Sequence, residues 1–429
     1  MKRLIGIMAD DLTGANDSGV QLTKGGVDTS VFLDLPEDEE SLTNGIVINT
    51  NARSLSKEGA ISVTQQVGEY LKRAGYLHIY KKMDSTLRGH IGAELQAIYK
   101  VFNPEFIFIA PAFPAMGRTT SNGIHYVNGV EINRTEFAND PKDPVTDSFI
   151  PAIIKKEIGQ PVGLLTKADI DAPKPIFSEK INHFKKTGIN YIVCDADTQI
   201  DLEKAAYTMA DIAEDIIWSG SAGLAEVLPK VLGIMHNSGH QSFSPARQVI
   251  TVSGSLSQIT QQQVEYMKKR STITAIELNT LDFFTNDWEK IRQNYIKRSI
   301  DGLKQGNDLI LYLPSNQKIR DKVKQIGILL NLTSNQISER ISHSIGEIVA
   351  KVMSLSDDLI GLVLIGGDTA KVTCHHLGGI GFRLIKQIEN GIPLGTLIGT
   401  SKEITVVTKA GAFGNVKSID HAIQKLKGV

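Results

Sequence analysis

The first apolar run of the chain, Leu4 to Ala9, delivers a pair of carboxylates: Asp10-Asp11-Leu12-Thr13-Gly14-Ala15-Asn16-Asp17. In open α/β sheets the ligand crevice lies beyond the carboxyl ends of the strands, so acids placed there meet substrate or metal. Asp11 or Thr13 alone suffices to cap the helix that carries Val20 and Leu22. A second acid, with Asp17 one turn on, exceeds what a cap needs. Asn51, Arg53 and Ser54 follow the run Ile46 to Asn49, and Lys81-Lys82-Met83-Asp84-Ser85-Thr86-Leu87-Arg88-Gly89 follows Leu77 to Tyr80. Arg and Lys pair with carboxylates and Asp accepts from hydroxyls, so this mixture suits a small hydroxylated anion. The plainer reading of the Lys81 to Arg88 run is a solvated loop with Asp84 or Ser85 as a helix cap. Beyond Phe106 to Ala110, the two prolines of Ala110-Pro111-Ala112-Phe113-Pro114 fix a rigid loop from which Arg118 and Thr119 reach the same crevice. His125 is open between a structural and a site role.

The second half of the chain carries three glycine-bearing turns next to helices: Val252-Ser253-Gly254-Ser255-Leu256-Ser257, Ile365-Gly366-Gly367-Asp368-Thr369-Ala370 and Thr408-Lys409-Ala410-Gly411-Ala412-Phe413-Gly414-Asn415. Glycine lets a backbone approach a phosphate closely, and the free N–H groups of a helix N-terminus favour negative charge. One such turn is common in α/β folds for packing reasons alone; three in one domain point to phosphates. Lys409 would add a cation, and Asp368 would cap its helix or hold a metal. Gly-Lys never occurs in the chain, so a P-loop is excluded, and the absence of GxGxxG disfavours a nicotinamide oxidoreductase. A haloacid-dehalogenase-type nucleophile would sit four residues before Thr13, where the chain has Ala9.

The elements that must position these residues alternate between strand-like runs and longer helical patterns, the signature of parallel sheets covered by helices. Strand-like runs are Leu4 to Ala9, Thr29 to Leu33, Ile46 to Asn49, Leu77 to Tyr80, Phe106 to Ala110 and Tyr191 to Cys194. A second set lies near Gln248 to Val252, Ile273 to Leu278, Leu309 to Leu313, Leu359 to Ile365 and Ile404 to Thr408. Helices are expected over Ile61 to Lys72 and Ile91 to Phe102, and from Gly367 toward Gln387. The stretch from Gly233 to Ala246, polar and glycine-bearing, is the best linker. The expected fold class is therefore α/β: two α/β domains, 1–238 and 245–429, with mostly parallel sheets and an interdomain active-site cleft. With 41% hydrophobic and 22% charged residues and a net charge of −1, the chain has no basic field for nucleic acid or an anionic membrane. No apolar stretch is long enough for a signal peptide or a membrane span, which points to the cytoplasm. Cys194 and Cys374 form no CxxC pair and read as buried, reduced thiols.

The motifs together resemble the four-carbon acid sugar kinase family. The matching stretches are Ala9 to Asp17, Lys82-Met83-Asp84-Ser85-Thr86-Leu87-Arg88-Gly89, Ala110 to Pro114, Ser219-Gly220-Ser221-Ala222-Gly223-Leu224, Gly366-Gly367-Asp368-Thr369-Ala370 and Thr408 to Gly414. The resemblance implies an ATP- and Mg²⁺-dependent kinase acting on the 4-hydroxyl of D-threonate, D-erythronate or 3-oxo-tetronate, with an N-terminal acid-sugar domain and a C-terminal nucleotide domain. Asn390-Gly391-Ile392-Pro393-Leu394-Gly395 looks more like the threonate and erythronate kinases. Asp368 stands where many relatives have Glu, and His90 where Asn is usual. By this likeness Asp10, Arg53, Lys82, Asp84, Ser85 and Arg88 contact the sugar acid. Ser253, Ser255, Gly366, Gly367, Asp368, Thr369 and Gly411 contact the nucleotide. In the expected mechanism Arg53 and Lys82 hold the carboxylate while Asp11 or Asp84 accepts the hydroxyl proton; metal ligands stay open. The competing reading is a non-catalytic sugar-acid sensor. Partners are the small acid and ATP; the oligomeric state, a homodimer included, is open.

Overall fold

A computed structural model describes residues 2–140, 143–235, 243–356 and 360–429. The expected linker core, residues 236–242, and Leu359 at the start of one expected strand lie outside the described residues. The chain divides into two compact units, Met1–Gly239 and His240–Val429.

In the first unit the chain runs β1 (Ile5–Ala9), α1 (Leu12–Lys24), β2 (Thr29–Phe32), β3 (Gly45–Asn49), α2 (Lys57–Arg73), β4 (His78–Lys82), α3 (Ile91–Phe102) and β5 (Phe106–Ala110). It continues through β6 (Arg118–Ser121), β7 (Ile124–Val127), β8 (Val130–Glu131), α4 (Ile150–Ile158), β9 (Val162–Leu165), α5 (Lys167–Asp171) and α6 (Lys174–Lys186). The unit ends with β10 (Tyr191–Cys194), α7 (Gln199–Ile212), β11 (Ile216–Gly220) and α8 (Ala222–Val231). The strands stand in the order β2-β3-β1-β4-β11-β5-β10-β9, every pairing parallel. Helices cover such sheets on both faces, which is why the strands read as continuous apolar runs. Val67 and Leu71 of α2, Leu95 and Ile98 of α3 and Ile154 of α4 close one core over Met8, Ile48 and Ile107. Strands β6 to β8 form a small antiparallel sheet of their own. From β1 the chain builds outward through β3 on one side and β4 on the other, so β1 and β4 flank a topological switch point, where a crevice opens at the carboxyl ends.

The second unit contains β12 (Gln248–Ser253), α9 (Gln258–Met267), β13 (Ile273–Glu277), α10 (Trp288–Lys304), β14 (Asp308–Tyr312), α11 (Gln317–Leu329) and α12 (Ser334–Ser354). It closes with β15 (Ile360–Ile365), α13 (Gly367–His376), β16 (Gly381–Glu389), β17 (Ile392–Ile398), β18 (Thr405–Lys409) and α14 (Ser418–Leu426). Its order is β13-β14-β12-β15-β18-β17-β16, parallel as far as β18 and antiparallel through the β17–β16 hairpin. The switch point here lies between β12 and β15. Val249, Ile310, Val363 and Val407 of the sheet pack with Ile419, Ile423 and Leu426 of α14.

Three expectations are corrected. The helix expected from Gly367 toward Gln387 stops at His376, because Gly378 takes a left-handed φ of 80° and the next nine-residue run pairs as β16. Lys81 and Lys82 belong to β4 rather than to a solvated loop and are buried. Strands β9 and β11 and the β6–β8 sheet also went unread: β11 ends in Trp218-Ser219-Gly220, which lacks a long apolar run, and β6 is polar throughout. The Ser219 to Leu224 motif proves to be a packing device. Tyr80 donates to Ser221 O at 2.5 Å, Ser221 Oγ donates to Ala112 O at 2.9 Å, and a side chain at Gly220 would collide with Ala110 O. Gly220→Ala should therefore lower stability by about 1–3 kcal/mol through overpacking, read as a shift of the urea midpoint at constant m-value.

Candidate active site

The first carboxylate pair is positioned by the end of β1 and the start of α1. Asp11 is the N-cap of α1 and accepts the Gly14 amide at 2.7 Å, so the capping reading holds for this residue. Asp10, 2% exposed, faces inward. Arg53, on the short turn after β3, joins the two: Nε and an Nη reach Asp10 Oδ2 at 3.0 and 2.7 Å, and the other Nη reaches Asp11 Oδ2 at 3.0 Å. Burial pushes the Asp10 carboxyl up, but Arg53, with Lys82 and Lys81 behind it, overrides this and holds it below the usual carboxylate range. The same two aspartates raise Arg53 against its own desolvation. Asp10 Oδ1 is buried and has no hydrogen-bond partner among the described residues.

Asp84 lies beyond β4 and is held from two sides. Arg88 Nε donates to its Oδ2 at 2.6 Å, Thr86 Oγ1 donates at 2.7 Å, and Arg53 stands 3.9 Å from Oδ1. Burial again works against the charge, yet Arg53 and Arg88 bring the carboxyl far below its ordinary value. Neither Asp84 nor Ser85 caps α3, whose N-cap is His90 with no side-chain bond. Arg88 also reaches Asp140 at 3.2 Å. Lys82 donates to Met83 O at 2.7 Å and lies against Gly14, where a Cβ would stand 2.7 Å from its ammonium. Lys81 turns the other way, into a buried pair with Glu94 of α3 at 2.7 Å. Burial pushes the Asp17 carboxyl up to about 6, against the pull of Lys82. Asp10, Arg53, Lys82, Asp84 and Arg88 thus share one crevice at the β1/β4 switch point, while Ser85 contributes its carbonyl to His125 Nε2 at 2.8 Å. His125 is fully buried, with Nδ1 at 3.0 Å from Thr120 Oγ1; it steadies the Asp84–Ser85 turn. Arg118 bonds Met116 O, and its buried Nε has no partner among the described residues.

Glu94 and Asp140 were missed by sequence reasoning. An acid inside the apolar stretch Ile91-Gly92-Ala93-Glu94-Leu95 was a usable signal, since buried acids need a cation. Asp140 carried none, being on a loop distant in sequence.

In the second unit the three glycine turns meet. A side chain on Gly254 would collide with Thr369 Oγ1, and one on Gly411 with Ser255 Oγ. Ser257 and Thr260 both donate to Gly411 O at 2.6 Å, and the Gly366 amide donates to Lys409 O at 3.0 Å. Gly366 is the N-cap of α13 at φ 103°, a conformation closed to other residues at low cost, and offers no side-chain cap, so the helix N-terminus is open. Ser253 Oγ, buried at the tip of β12, has no partner among the described residues. These features fit a phosphate chain. Asp368 is exposed in the first turn of α13 and does not cap it. Among the described residues no group of three or more His, Cys, Asp or Glu could hold a metal. Lys409, expected to add a cation at the phosphates, is 4% exposed and its ammonium donates to backbone carbonyls, with burial pushing it down to about 8.

Comparison with known proteins agrees with this division. Residues 5–228 match a family model described as a sugar-binding N-terminal domain, and residues 250–419 one described as a nucleotide-binding C-terminal domain. The chain belongs to the four-carbon acid sugar kinase family. It is 30% identical to a D-threonate kinase of Salmonella typhimurium, covering 97% of both chains. It is 28% identical to a D-erythronate kinase of Heliobacterium modesticaldum (98% of this chain, 97% of the relative) and 26% identical to a 3-oxo-tetronate kinase of Haemophilus influenzae (98% and 99%). A solved Haemophilus influenzae structure superposes with a TM-score of 0.79 at 26% identity, covering 98% of this chain and 100% of that one. A Salmonella typhimurium structure with a TM-score of 0.83, covering 98% and 99%, shares the fold at 22% identity. Among the described residues no helix is long and apolar enough to cross a membrane.

Two outcomes follow from the buried charges. Arg53→Ala leaves Asp10 buried without its hydrogen-bonded cation and should cost about 3–5 kcal/mol; Arg53→Ala with Asp10→Asn should recover much of that loss in a denaturant double-mutant cycle. Burial pushes His125 down to about 4, below its unfolded value, so the folded state binds fewer protons and stability falls as pH drops from about 6.5 to about 4. In His125→Gln the slope of melting temperature against pH over that window should flatten.

Proposed function

We propose that the chain transfers the terminal phosphoryl group of ATP, with Mg²⁺, to the 4-hydroxyl of a four-carbon sugar acid. D-threonate or D-erythronate is the favoured acceptor over 3-oxo-tetronate, and ATP as donor puts the reaction in the cytoplasm. The observation that carries this reading is Asp10: one carboxylate oxygen is locked by Arg53, the other is buried and unpartnered, and a substrate hydroxyl is the donor such an oxygen requires. The relatives named for D-threonate and D-erythronate kinases are 30% and 28% identical, against 26% for the 3-oxo-tetronate kinase.

Arg53 has three of its N–H groups on Asp10 and Asp11, so its part is to orient and neutralise the pair. The acceptor's carboxylate falls to Lys82 and Arg118, with Arg88 steadying Asp84. Of the two candidate bases, Asp84 is held by two guanidinium groups and a hydroxyl and is the poorer proton acceptor. Asp11, whose side chain is 28% exposed and meets a single guanidinium, is the one assigned the role. Phosphoryl transfer asks chiefly for in-line positioning and neutralised charge, which the amides of the glycine turns and the N-terminus of α13 supply at the phosphates. Mg²⁺ when bound adds neutralising charge there; it is commonly held by phosphates and one or two carboxylates, and Asp368 is the acid at hand.

Incubation with ATP, Mg²⁺ and a panel of four-carbon acids should give substrate-dependent ADP release with D-threonate or D-erythronate, and silence across the panel would overturn the reading. Asp11→Asn should lower kcat about a hundredfold or more with little change in acceptor KM. A near-normal kcat removes Asp11 from the role.

A further inference from the structure

Lys409 ends β18 and carries an ammonium group that the phosphoryl-transfer scheme does not use. Its Nζ lies 2.9 Å from Ala410 O, 3.0 Å from Phe413 O, 3.2 Å from Gly411 O and 3.3 Å from Thr260 Oγ1. Three carbonyls of one loop and a hydroxyl converging on one buried positive charge form the kind of shell a monovalent cation takes. Gly411 O is held further by the hydroxyls of Ser257 and Thr260. A peptide N–H points opposite to its C=O, so drawing these carbonyls inward turns amides of the loop outward. The amides of Gly411 and Ala412 make no hydrogen bond with any described residue. Lys409 O meanwhile receives the Gly366 amide at 3.0 Å, tying the third turn to the second.

We propose that Lys409 is a built-in cation whose ammonium, seated in this nest of carbonyls, folds the 410–413 turn so that its amides face outward for the ATP phosphates. It is a positioning residue and touches no phosphate itself. The inference rests on the nucleotide reading of the second unit. It also explains why the turn places a lysine at a strand end, where the sequence suggests a phosphate-binding cation: the same charge acts one layer below, on the backbone.

The test uses the full chain with Lys409→Ala, which opens a cation-sized space in the nest, and Lys409→Met, which fills it without charge. In Lys409→Ala, KM for ATP should rise about tenfold or more while KM for the acid acceptor stays within about twofold, since the loss falls on ground-state nucleotide binding. Ammonium or potassium ions should restore most of the affinity and tetramethylammonium at equal ionic strength should not; Lys409→Met should resist rescue by any of them. Exchange of the Phe413 amide, which donates to Ala410 O at 3.1 Å across the turn, measured without nucleotide, should quicken in Lys409→Ala and slow again with ammonium. Unchanged exchange, or an unchanged KM for ATP, overturns the inference. So does a loss of affinity with the turn still protected, which would mean direct contact with phosphate. Should Lys409→Ala fail to fold, Thr260→Val removes one ligand of the nest and should still quicken exchange of the Phe413 amide; no change there overturns the inference equally. Titration of the wild-type chain with ADP tests the nucleotide reading separately, because the exchange result does not depend on it.

Discussion

Burying Asp10 at the end of the central strand β1 is the constraint around which the first unit is organised. A carboxylate at 2% exposure needs partners that offset its lost hydration, and the one in place is the Arg53 guanidinium, which grips Asp10 with two N–H groups and Asp11 with a third. That grip fixes the turn after β3 against the turn after β1. It also brings a second positive charge within 3.9 Å of Asp84, so the turn after β4 is tied in as well. The remaining members follow from charge balance. Arg88 answers Asp84 and Asp140, while Lys81 answers Glu94 from the layer beneath. Such a network stabilises little in net terms, because desolvation offsets most of the attraction; what it supplies is one geometry for the acids.

The second unit solves a different problem with different means. A phosphate chain is bound best by backbone amides held still, and amides are held still by closing loops on one another without side chains in the way. Gly254 admits Thr369, Gly411 admits Ser255, and the carbonyls left over are collected by Ser257, Thr260 and Lys409. The glycines of the three turns therefore serve packing, and under the proposed nucleotide reading they also leave the backbone open to phosphate. Both sites stand at the switch point of a parallel sheet, where adjacent strand ends diverge and leave a crevice with polar backbone on its rim.

Much of this was legible in the sequence. The strands of the two sheets that flank the switch points announced themselves as apolar runs, because both of their faces are covered. Asp10, Arg53, Lys82, Asp84 and Arg88 were singled out by standing just after such runs. Where the reading failed, local pattern was silent or misleading. Residues 381–389 carry an apolar periodicity that a helix also satisfies, and only pairing with β17 decides for a strand. Lys81 and Lys82 look like solvent-seeking residues, and Glu94, Lys82 O and Met83 O help make their burial tolerable.

By itself the sequence determined the alternation of strands and helices, the residue types at the strand ends and the three glycine turns, since each depends on neighbours within a few positions. The tertiary structure alone decided which charges face each other: that Arg53 clamps the aspartates, that His125 braces a turn, and that Lys409 points into a ring of carbonyls. Arg53 with Asp10, His125 with Ser85 and Thr260 with Lys409 are 40 or more positions apart. Their energies depend on distance and burial, which no local pattern of residues encodes.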